Sequence, residues 1–137
     1  MKNSGKAKFS ITKTANKQVA KDRFILMTMR SHDQFNTTIY GFDDRYRGIS
    51  GEREVVLMNT LDMKNKGFKE KELVNITSYF EGKERHLNGF KVVSYPITKG
   101  CVAVYFPEGN VLVALNNKTN ESQCPASKFV EVSIQKI

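Results

Sequence analysis

Short apolar runs and alternating apolar and polar positions predict a mainly β structure for this chain. Residues 73–80 show the pattern clearly, because their apolar side chains fall on alternate positions, as in a strand with one buried face. Residues 24–27 instead form a short continuous apolar run, which is typical of a fully buried strand. The predicted strands cover residues 24–28, 54–58, 73–80, 85–95, 101–106 and 129–134, and the apolar stretch 111–115 is a candidate seventh strand.

One short helix is predicted between the second and third strands. Asn59 and Thr60 are residue types that favour a helix N-cap, and Gly67 is the type that favours the position just past a helix end. The helix is therefore expected over residues 61–66. Strands of this number and spacing favour a closed β-barrel, since closure removes exposed sheet edges.

A long polar stretch interrupts the strand pattern between residues 30 and 52. It contains Phe35, Tyr40, Phe42 and Tyr46 but shows no sustained period. Loops longer than about 12–15 residues inside a compact domain are usually functional or disordered. The aromatic residues argue against disorder, so we expect a functional loop.

The chain has 137 residues and a net charge of +8. This length suits one domain, and the charge is concentrated near the start, where six lysines and Arg23 face Asp22 alone. We predict a basic, flexible leader or linker over residues 1–22 and one domain over residues 23–137. The alternative, that the basic arm attracts nucleic acid or phosphate, remains open.

Neither a membrane span nor classical secretion is expected from the sequence. No apolar stretch approaches the roughly 20 residues that cross a bilayer, and the first residues lack the apolar segment of a secretory signal. Cys101 and Cys124 do not make a disulfide framework in a chain of this size. We therefore expect a reducing, cytoplasmic location.

The sequence predicts neither a catalytic residue nor a metal site. His32 and His86 have no companion at metal-ligand spacing, and Cys101 lies within a predicted strand, as a buried structural thiol would. No HExxH, GxSxG or paired-cysteine zinc motif occurs. An autonomous enzyme is therefore not expected.

The segment directly after the first strand has the composition of a phosphate-binding site. Thr28, Arg30 and Asn36 offer hydroxyl, guanidinium and amide donors for phosphate oxygens. Phe35 or Tyr40 offers a flat face for a heterocycle. The alternative is a polar turn whose side chains bond to their own backbone, and composition alone does not separate the two interpretations.

The same segment, read as T-x-R-x-x-x-[QH]-[FW]-[NH]-T, resembles the signature of the C-terminal domain of molybdopterin oxidoreductases. The longer string from Arg30 to Ile49 resembles the formate-dehydrogenase-like alpha-subunit branch. The resemblance covers about residues 5–137, in family order. Its further matches are 57–62, which lead to Gly67-Phe68, then 73–77, 105–112 and 124–128.

This resemblance implies a six-stranded double-psi β-barrel with one or two short helices that binds molybdopterin guanine dinucleotide. By the same resemblance Arg30 and Lys128 would offset diphosphate charge, and Asn110 would read a guanine or pterin edge. Relatives carry a histidine at the position of Asn36. The implied cofactor-binding residues are Thr28, Arg30, His32, Gln34, Phe35, Asn36, Thr37, Phe106, Asn110 and Lys128.

The resemblance also implies that the chain is the C-terminal piece of a larger catalytic subunit. The remaining domains would hold the iron–sulfur cysteines and the ligand of the molybdenum or tungsten, so the isolated domain is expected to be inactive. Two alternatives belong to other classes. One is a small basic β-barrel that binds RNA or single-stranded DNA through Phe35, Tyr40 and Tyr46, which the near-neutral charge of residues 24–137 disfavours. The other is an assembly module without a ligand.

Overall fold

A computed structural model describes residues 9–11, 18–36 and 39–137 of the chain. The described part is mainly β, with one α-helix and one short 3₁₀ helix, Glu108–Leu112, after the fifth strand. The elements are β1 Phe24–Met29, β2 Val55–Met58, α1 Thr60–Lys66, β3 Leu73–Phe80, β4 Lys83–Ser94, β5 Cys101–Tyr105 and β6 Val130–Lys136.

The six strands close into a barrel in the order β1-β5-β2-β4-β3-β6. β1 pairs with β5 in parallel, with Met29 opposite Tyr105, so both strands end at the same end of the barrel. β2 and β6 run antiparallel to these two strands and therefore begin at that end. Register alone thus places the residues after β1, after β5, before β2 and before β6 together.

The interior of the barrel is apolar, and a second apolar cluster lies outside it. All four residues of β2 are fully buried, because Val56 and Met58 belong to the interior while Val55 and Leu57 belong to the outer cluster. Ile49 of the long loop packs into this outer cluster. The loop therefore covers the outer face of β2 and β5.

Most local predictions are confirmed. The closed six-stranded barrel forms, β3 buries its predicted face, and α1 is capped as expected: Leu61 N donates to Asn59 Oδ1 at 2.9 Å and Gly67 has a φ of 71°. Glycine adopts that left-handed conformation without steric cost. The double-psi crossing of the chain stays a prediction.

The candidate strand 111–115 is wrong. The chain there forms the 3₁₀ helix Glu108–Leu112 instead, and Leu112 inserts into the core at 1% exposure while Val111 stays half exposed. Gly109 lies so close to Val104 that the chain turns back over β5 rather than extending beside it. The apolar residues of this stretch are consequently buried by a turn.

The predicted leader, residues 1–22, lies mostly outside the described residues and stays a prediction, as does its flexibility. In its described part, Asp22 accepts a hydrogen bond from Lys66 at 2.7 Å. Within the described ranges, no helix has the length and apolar character needed to span a bilayer.

Candidate functional site

Three segments that are far apart in the sequence meet at one end of the barrel. Phe106 N donates to Met29 O at 2.7 Å, and Thr28 N donates to Ser127 O at 3.0 Å. We call residues 28–36, 106–110 and 127–128 the rim. Because each rim segment directly follows or precedes a paired strand, its position is fixed by the barrel.

One side of the rim is built around Thr28. The Thr28 side chain is 2% exposed and its hydroxyl lies 3.5 Å from Ser127 O, while the Lys128 ammonium donates to Thr28 O. A Cβ added to Gly109 would lie 3.5 Å from the Thr28 methyl group, so the turn that carries Asn110 packs on the same residue. Thr28, Asn110 and Lys128 are therefore brought together, with Asn110 and Lys128 exposed and Thr28 in the supporting wall.

Gln34 ties the loop after β1 to the end of β5. Its side chain is buried; Nε2 donates to Phe106 O at 2.9 Å and Oε1 accepts from Ser31 N at 3.1 Å. The structure thus brings the predicted residues Gln34 and Phe106 into direct contact. Gln34 supports the loop through these bonds, and its predicted contact with a cofactor stays a prediction.

Phe35 and Asn36 occupy an exposed tip of the same loop. Phe35 and Ile39 exchange two backbone hydrogen bonds, of 2.8 and 3.3 Å, and the Phe35 side chain is 71% exposed. Asn36 is exposed with a φ of 58°, a left-handed conformation in which asparagine is enriched. Thr37 lies outside the described residues, so its predicted role stays untested.

A cationic patch lies beside the rim. The His32 ring packs on Tyr46 at 3.8 Å between centroids, and Arg45 lies over the same tyrosine at 5.2 Å. Arg45 Nη2 is 3.4 Å from His32 Nε2, and Arg47 Nη1 donates to Arg30 O at 3.4 Å. Within the described ranges, Arg30 and Arg45 form no ion pair with a carboxylate, so their charges are available to an anion.

The patch has an acidic anchor beneath it. Asp44 is 1% exposed and accepts from the Tyr105 hydroxyl at 2.9 Å and from Arg47 Nη1 at 2.5 Å. Burial alone would raise the pKa of Asp44, but the hydrogen bonds from Arg47 and Tyr105 outweigh it and lower the pKa. Burial, together with the bond to Asp44, raises the pKa of Tyr105. The ionised Asp44 therefore fixes the loop to β5.

Sequence reasoning missed Arg53, which is 3% exposed and lies between the rim segments. Its guanidinium binds Glu108 through two nitrogens, at 2.6 and 3.2 Å, and donates to Phe106 O at 2.8 Å. In the sequence Arg53 stands between Glu52 and Glu54, where nothing distinguishes it from a solvated surface charge. Its position just before a fully apolar strand is the signal that was available.

An open cleft of about 320 Å³ lies next to Arg53 and Glu108. Its charged groups are largely paired with each other, since Lys91 binds Glu52 and Arg53 binds Glu108. None of the predicted binding residues lines this cleft. The cleft touches the rim at Glu108, but the exposed donors Arg30, Asn110 and Lys128 lie outside its lining.

The donors of the rim suit an anionic ligand that carries a heterocycle. Arg30, Lys128 and the amide of Asn110 are exposed donors, and the exposed Phe35 ring offers a flat face. Among the residues that the structure describes, no group of three or more His, Cys, Asp or Glu side chains could hold a metal ion. The arrangement offers hydrogen-bond donors, positive charge and one exposed ring face.

The chain is similar to known proteins in family and in sequence. The family model for the molydopterin dinucleotide binding domain matches residues 24–134. An uncharacterized oxidoreductase of Mycobacterium tuberculosis is 40% identical over 96% of this chain and 18% of its own length. Protein YdeP of Escherichia coli K12 is 38% identical over 96% of the chain and 18% of its own length.

The fold has a solved counterpart. Acetylene hydratase from Pelobacter acetylenicus matches with a TM-score of 0.56 and 12% identity, over 83% of this chain and 18% of that protein. This likeness shows the fold alone. The chain spans about a fifth of the length of the curated relatives it matches. Since the family model covers most of the barrel, the chain belongs to the molydopterin dinucleotide-binding domain family.

Proposed function

We propose that this domain binds the guanine-containing dinucleotide of a bis-molybdopterin cofactor and orients it within a larger oxidoreductase. The family match supports a molybdopterin cofactor. The observation that carries the finer proposal is the meeting of Thr28, Lys128 and the turn of Asn110. They lie beside Arg30 and Arg45, which form no ion pair with a carboxylate among the residues that the structure describes. A dinucleotide requires that combination, because its diphosphate needs cations and its base needs an edge-reading amide.

Five of the predicted residues contact the ligand in this proposal, while Thr28 and Gln34 support the site. Arg30 and Lys128 offset diphosphate charge, and Arg45, which the sequence did not indicate, adds to the cationic side. Asn110 hydrogen-bonds the edge of the guanine or pterin ring, and Phe35 or Phe106 packs on a ring face. The metal of the bound cofactor, molybdenum or tungsten, supplies the redox chemistry.

The remaining domains of the parent subunit complete the binding site in this proposal. The relatives of this chain are more than five times longer, and the rim donors lie on an open surface. We propose a formate-dehydrogenase-like parent on the resemblance of residues 30–49, and a cytoplasmic location. The free thiols Cys101 and Cys124 are compatible with a reducing compartment.

Binding of RNA or single-stranded DNA is not favoured. Of the three aromatic side chains suited to base stacking, Tyr40 is half-buried against Arg53 at 4.1 Å, and Tyr46 packs on His32 but stays 67% exposed. Base stacking needs exposed ring faces, which Phe35 and Tyr46 still offer. The observation against a nucleic-acid interface is the near-neutral charge of residues 24–137.

A nucleotide titration of the full chain tests the proposal. Guanosine diphosphate carries the base and a diphosphate, and an incomplete site is expected to bind it with a Kd of about 1 mM, roughly 4 kcal/mol of binding free energy. We expect amide NMR shifts at residues 28–36 and 106–110, and weaker shifts with adenosine diphosphate. The proposal is wrong if no rim amide shifts at about ten times that Kd, or if both nucleotides shift only residues outside the rim.

A further inference from the structure

We propose that Arg53 is a positioning residue, which holds residues 31–36 and 39–41 of the loop after β1 against the turn 106–108 and thereby gives the rim its binding shape. This inference rests on the proposed function of the rim, but its structural part can be tested without any ligand.

One set of Arg53 contacts reaches the turn after β5. Arg53 Nε donates to Glu108 Oε1 at 2.6 Å and Nη2 to Glu108 Oε2 at 3.2 Å, a bidentate geometry that fixes the plane of the guanidinium. Nη2 also donates to Phe106 O at 2.8 Å. Arg53 is thus bonded to both ends of the Phe106–Glu108 turn, two residues before Asn110.

The second set of contacts reaches the loop after β1. Nη1 donates to Ser31 Oγ at 2.8 Å and to Gly41 O at 3.4 Å, at the beginning and the end of this loop. Nη2 is 3.1 Å from Gln34 Oε1. The same guanidinium therefore joins both stems of the loop to the turn that follows β5.

Aromatic rings enclose the guanidinium. Arg53 Cζ lies 4.1 Å from the centroid of Tyr40 and 4.8 Å from that of Tyr105. Tyr105 belongs to β5 and Tyr40 to the loop. The ring contacts therefore join the loop to the end of β5, as the hydrogen bonds do. Cation–π contacts strengthen when the cation is desolvated, and the Arg53 side chain is 3% exposed.

Arg53 has no donor left for a ligand. A guanidinium has five N–H groups, and the side chain of Arg53 already makes six acceptor contacts. Its charge is offset by Glu108. Arg53 therefore acts on a bound dinucleotide only through the position of the loop and the turn.

Lysine does not reproduce this geometry. An ammonium group has three donors around one point and cannot span the acceptors that surround a planar guanidinium. Arg53→Lys keeps the positive charge next to Glu108 but loses the link between the turn and the loop stems. This variant consequently separates the effect of charge from the effect of position.

Arg23 provides a control with the same contact chemistry at a more exposed position. It also binds a carboxylate, Glu131 at 2.8 Å, and it also lies over a tyrosine, Tyr79 at 3.7 Å. These contacts join β6 and β3, and among the described residues none of them involves the rim. Arg23→Lys is therefore a change of the same chemistry at a site where we expect no effect on the rim.

The test measures amide hydrogen exchange and nucleotide binding in the full chain. We expect Arg53→Lys to accelerate exchange of the protected amides in 31–36, 39–41 and 106–110 about tenfold, with the amides of β3 and β4 unchanged. We also expect the affinity for guanosine diphosphate to fall at least about fivefold, which corresponds to about 1 kcal/mol. Arg23→Lys should leave both readouts as in the wild type.

A second variant covers the case in which Arg53→Lys does not fold. Glu108→Gln keeps the shape of the partner but removes its charge, and a smaller change in the same direction is expected. The inference is overturned if amide hydrogen exchange in the loop is unchanged in the folded variant. It is also overturned if exchange accelerates equally in the loop and in the strands, because Arg53 would then stabilise only the fold as a whole. If the wild-type chain fails to bind the nucleotide, the proposed function fails while the exchange data still decide the role of Arg53.

Discussion

Replacement of Gly109 by alanine should destabilise the turn that carries Asn110. An added Cβ would lie 2.2 Å from Val104 Cγ2 and 3.3 Å from Val104 Cβ, and Val104 is fully buried in the barrel. Real Cβ atoms do not approach other atoms at 2.2 Å, so either Val104 or the turn must move. Both lie against packed neighbours, since Thr28 borders the same space.

The expected magnitude follows from the size of this clash. Extra methyl groups in a well-packed core reduce stability by typically 1–3 kcal/mol. Because Val104 Cγ2 cannot leave the interior without displacing other buried side chains, we expect Gly109→Ala to lower the free energy of unfolding by about 2 kcal/mol. Urea unfolding followed by far-UV circular dichroism measures it.

A second variant isolates the contact. Val104→Ala removes the clashing methyl group and by itself lowers stability, by about 0.8 kcal/mol per methyl group lost and by more if a cavity remains. In the double variant the new methyl group of residue 109 fills the space left at residue 104. We therefore expect the double variant to be more stable than the sum of the single effects by at least about 1 kcal/mol.

Gly41→Ala serves as the control, since the nearest atom to an added Cβ there is Asp43 N at 4.0 Å. Its effect should stay within about 0.5 kcal/mol, as for ordinary surface substitutions. The reasoning is refuted if Gly109→Ala is as stable as the control, or if the effects at residues 104 and 109 simply add.

Three further predictions concern stability and the cationic patch. Because the pKa of Asp44 is lowered in the folded state, its contribution is present above the unfolded pKa of about 4 and is lost as pH falls through the folded value. Asp44→Asn should therefore lower the free energy of unfolding at neutral pH by about 3 kcal/mol. It should also make this free energy fall less steeply as the pH becomes acidic, which unfolding followed by circular dichroism at several pH values measures. Asn59→Ala removes the N-cap of α1 and its bond to Ile97 O at 2.6 Å, and should lower the free energy of urea unfolding by about 1 kcal/mol; an unchanged midpoint would contradict the cap assignment. Arg45→Gln, at an exposed residue, should weaken binding of guanosine diphosphate in the NMR titration without changing the unfolding midpoint, whereas equal affinity would exclude Arg45 from the site.

The barrel could be predicted because its strands carry their burial pattern locally. Val74, Ile76 and Ser78 alternate in the sequence and are buried together in β3. Gly67 ends α1 because a left-handed residue is needed there, and that requirement is also local. The alternation of buried residues and the residue preferences at helix ends were therefore enough to predict these elements.

The 3₁₀ helix Glu108–Leu112 could not be predicted in this way. Its apolar residues resemble a strand in composition, whereas in the fold Gly109 lies against Val104 and Leu112 is buried in the core. The contact between Gly109 and Val104 joins two elements in space, and no periodic pattern in the sequence indicates it. Tertiary packing overrode the local preference here.

The sequence indicated which segments form the candidate site but not the hydrogen bonds that join them. The resemblance indicated residues 28–37, Phe106, Asn110 and Lys128, and the register of β1, β5 and β6 brings the described ones together. Arg53 was missed, because a buried arginine between two glutamates has no local signature. Gln34 lies where the resemblance indicated, yet its bonds are those of a loop support.

Photoaffinity labelling tests the central claim most directly. The full chain would be irradiated with an azido derivative of guanosine diphosphate, and the labelled peptides would be identified by mass spectrometry with and without excess unmodified nucleotide. The account predicts labelling within residues 28–36 and 106–110 and beside Lys128. It also predicts that excess unmodified nucleotide suppresses this labelling. Labelling that is confined to residues 42, 51–54 and 91 of the cleft, or that excess nucleotide does not suppress, would contradict it.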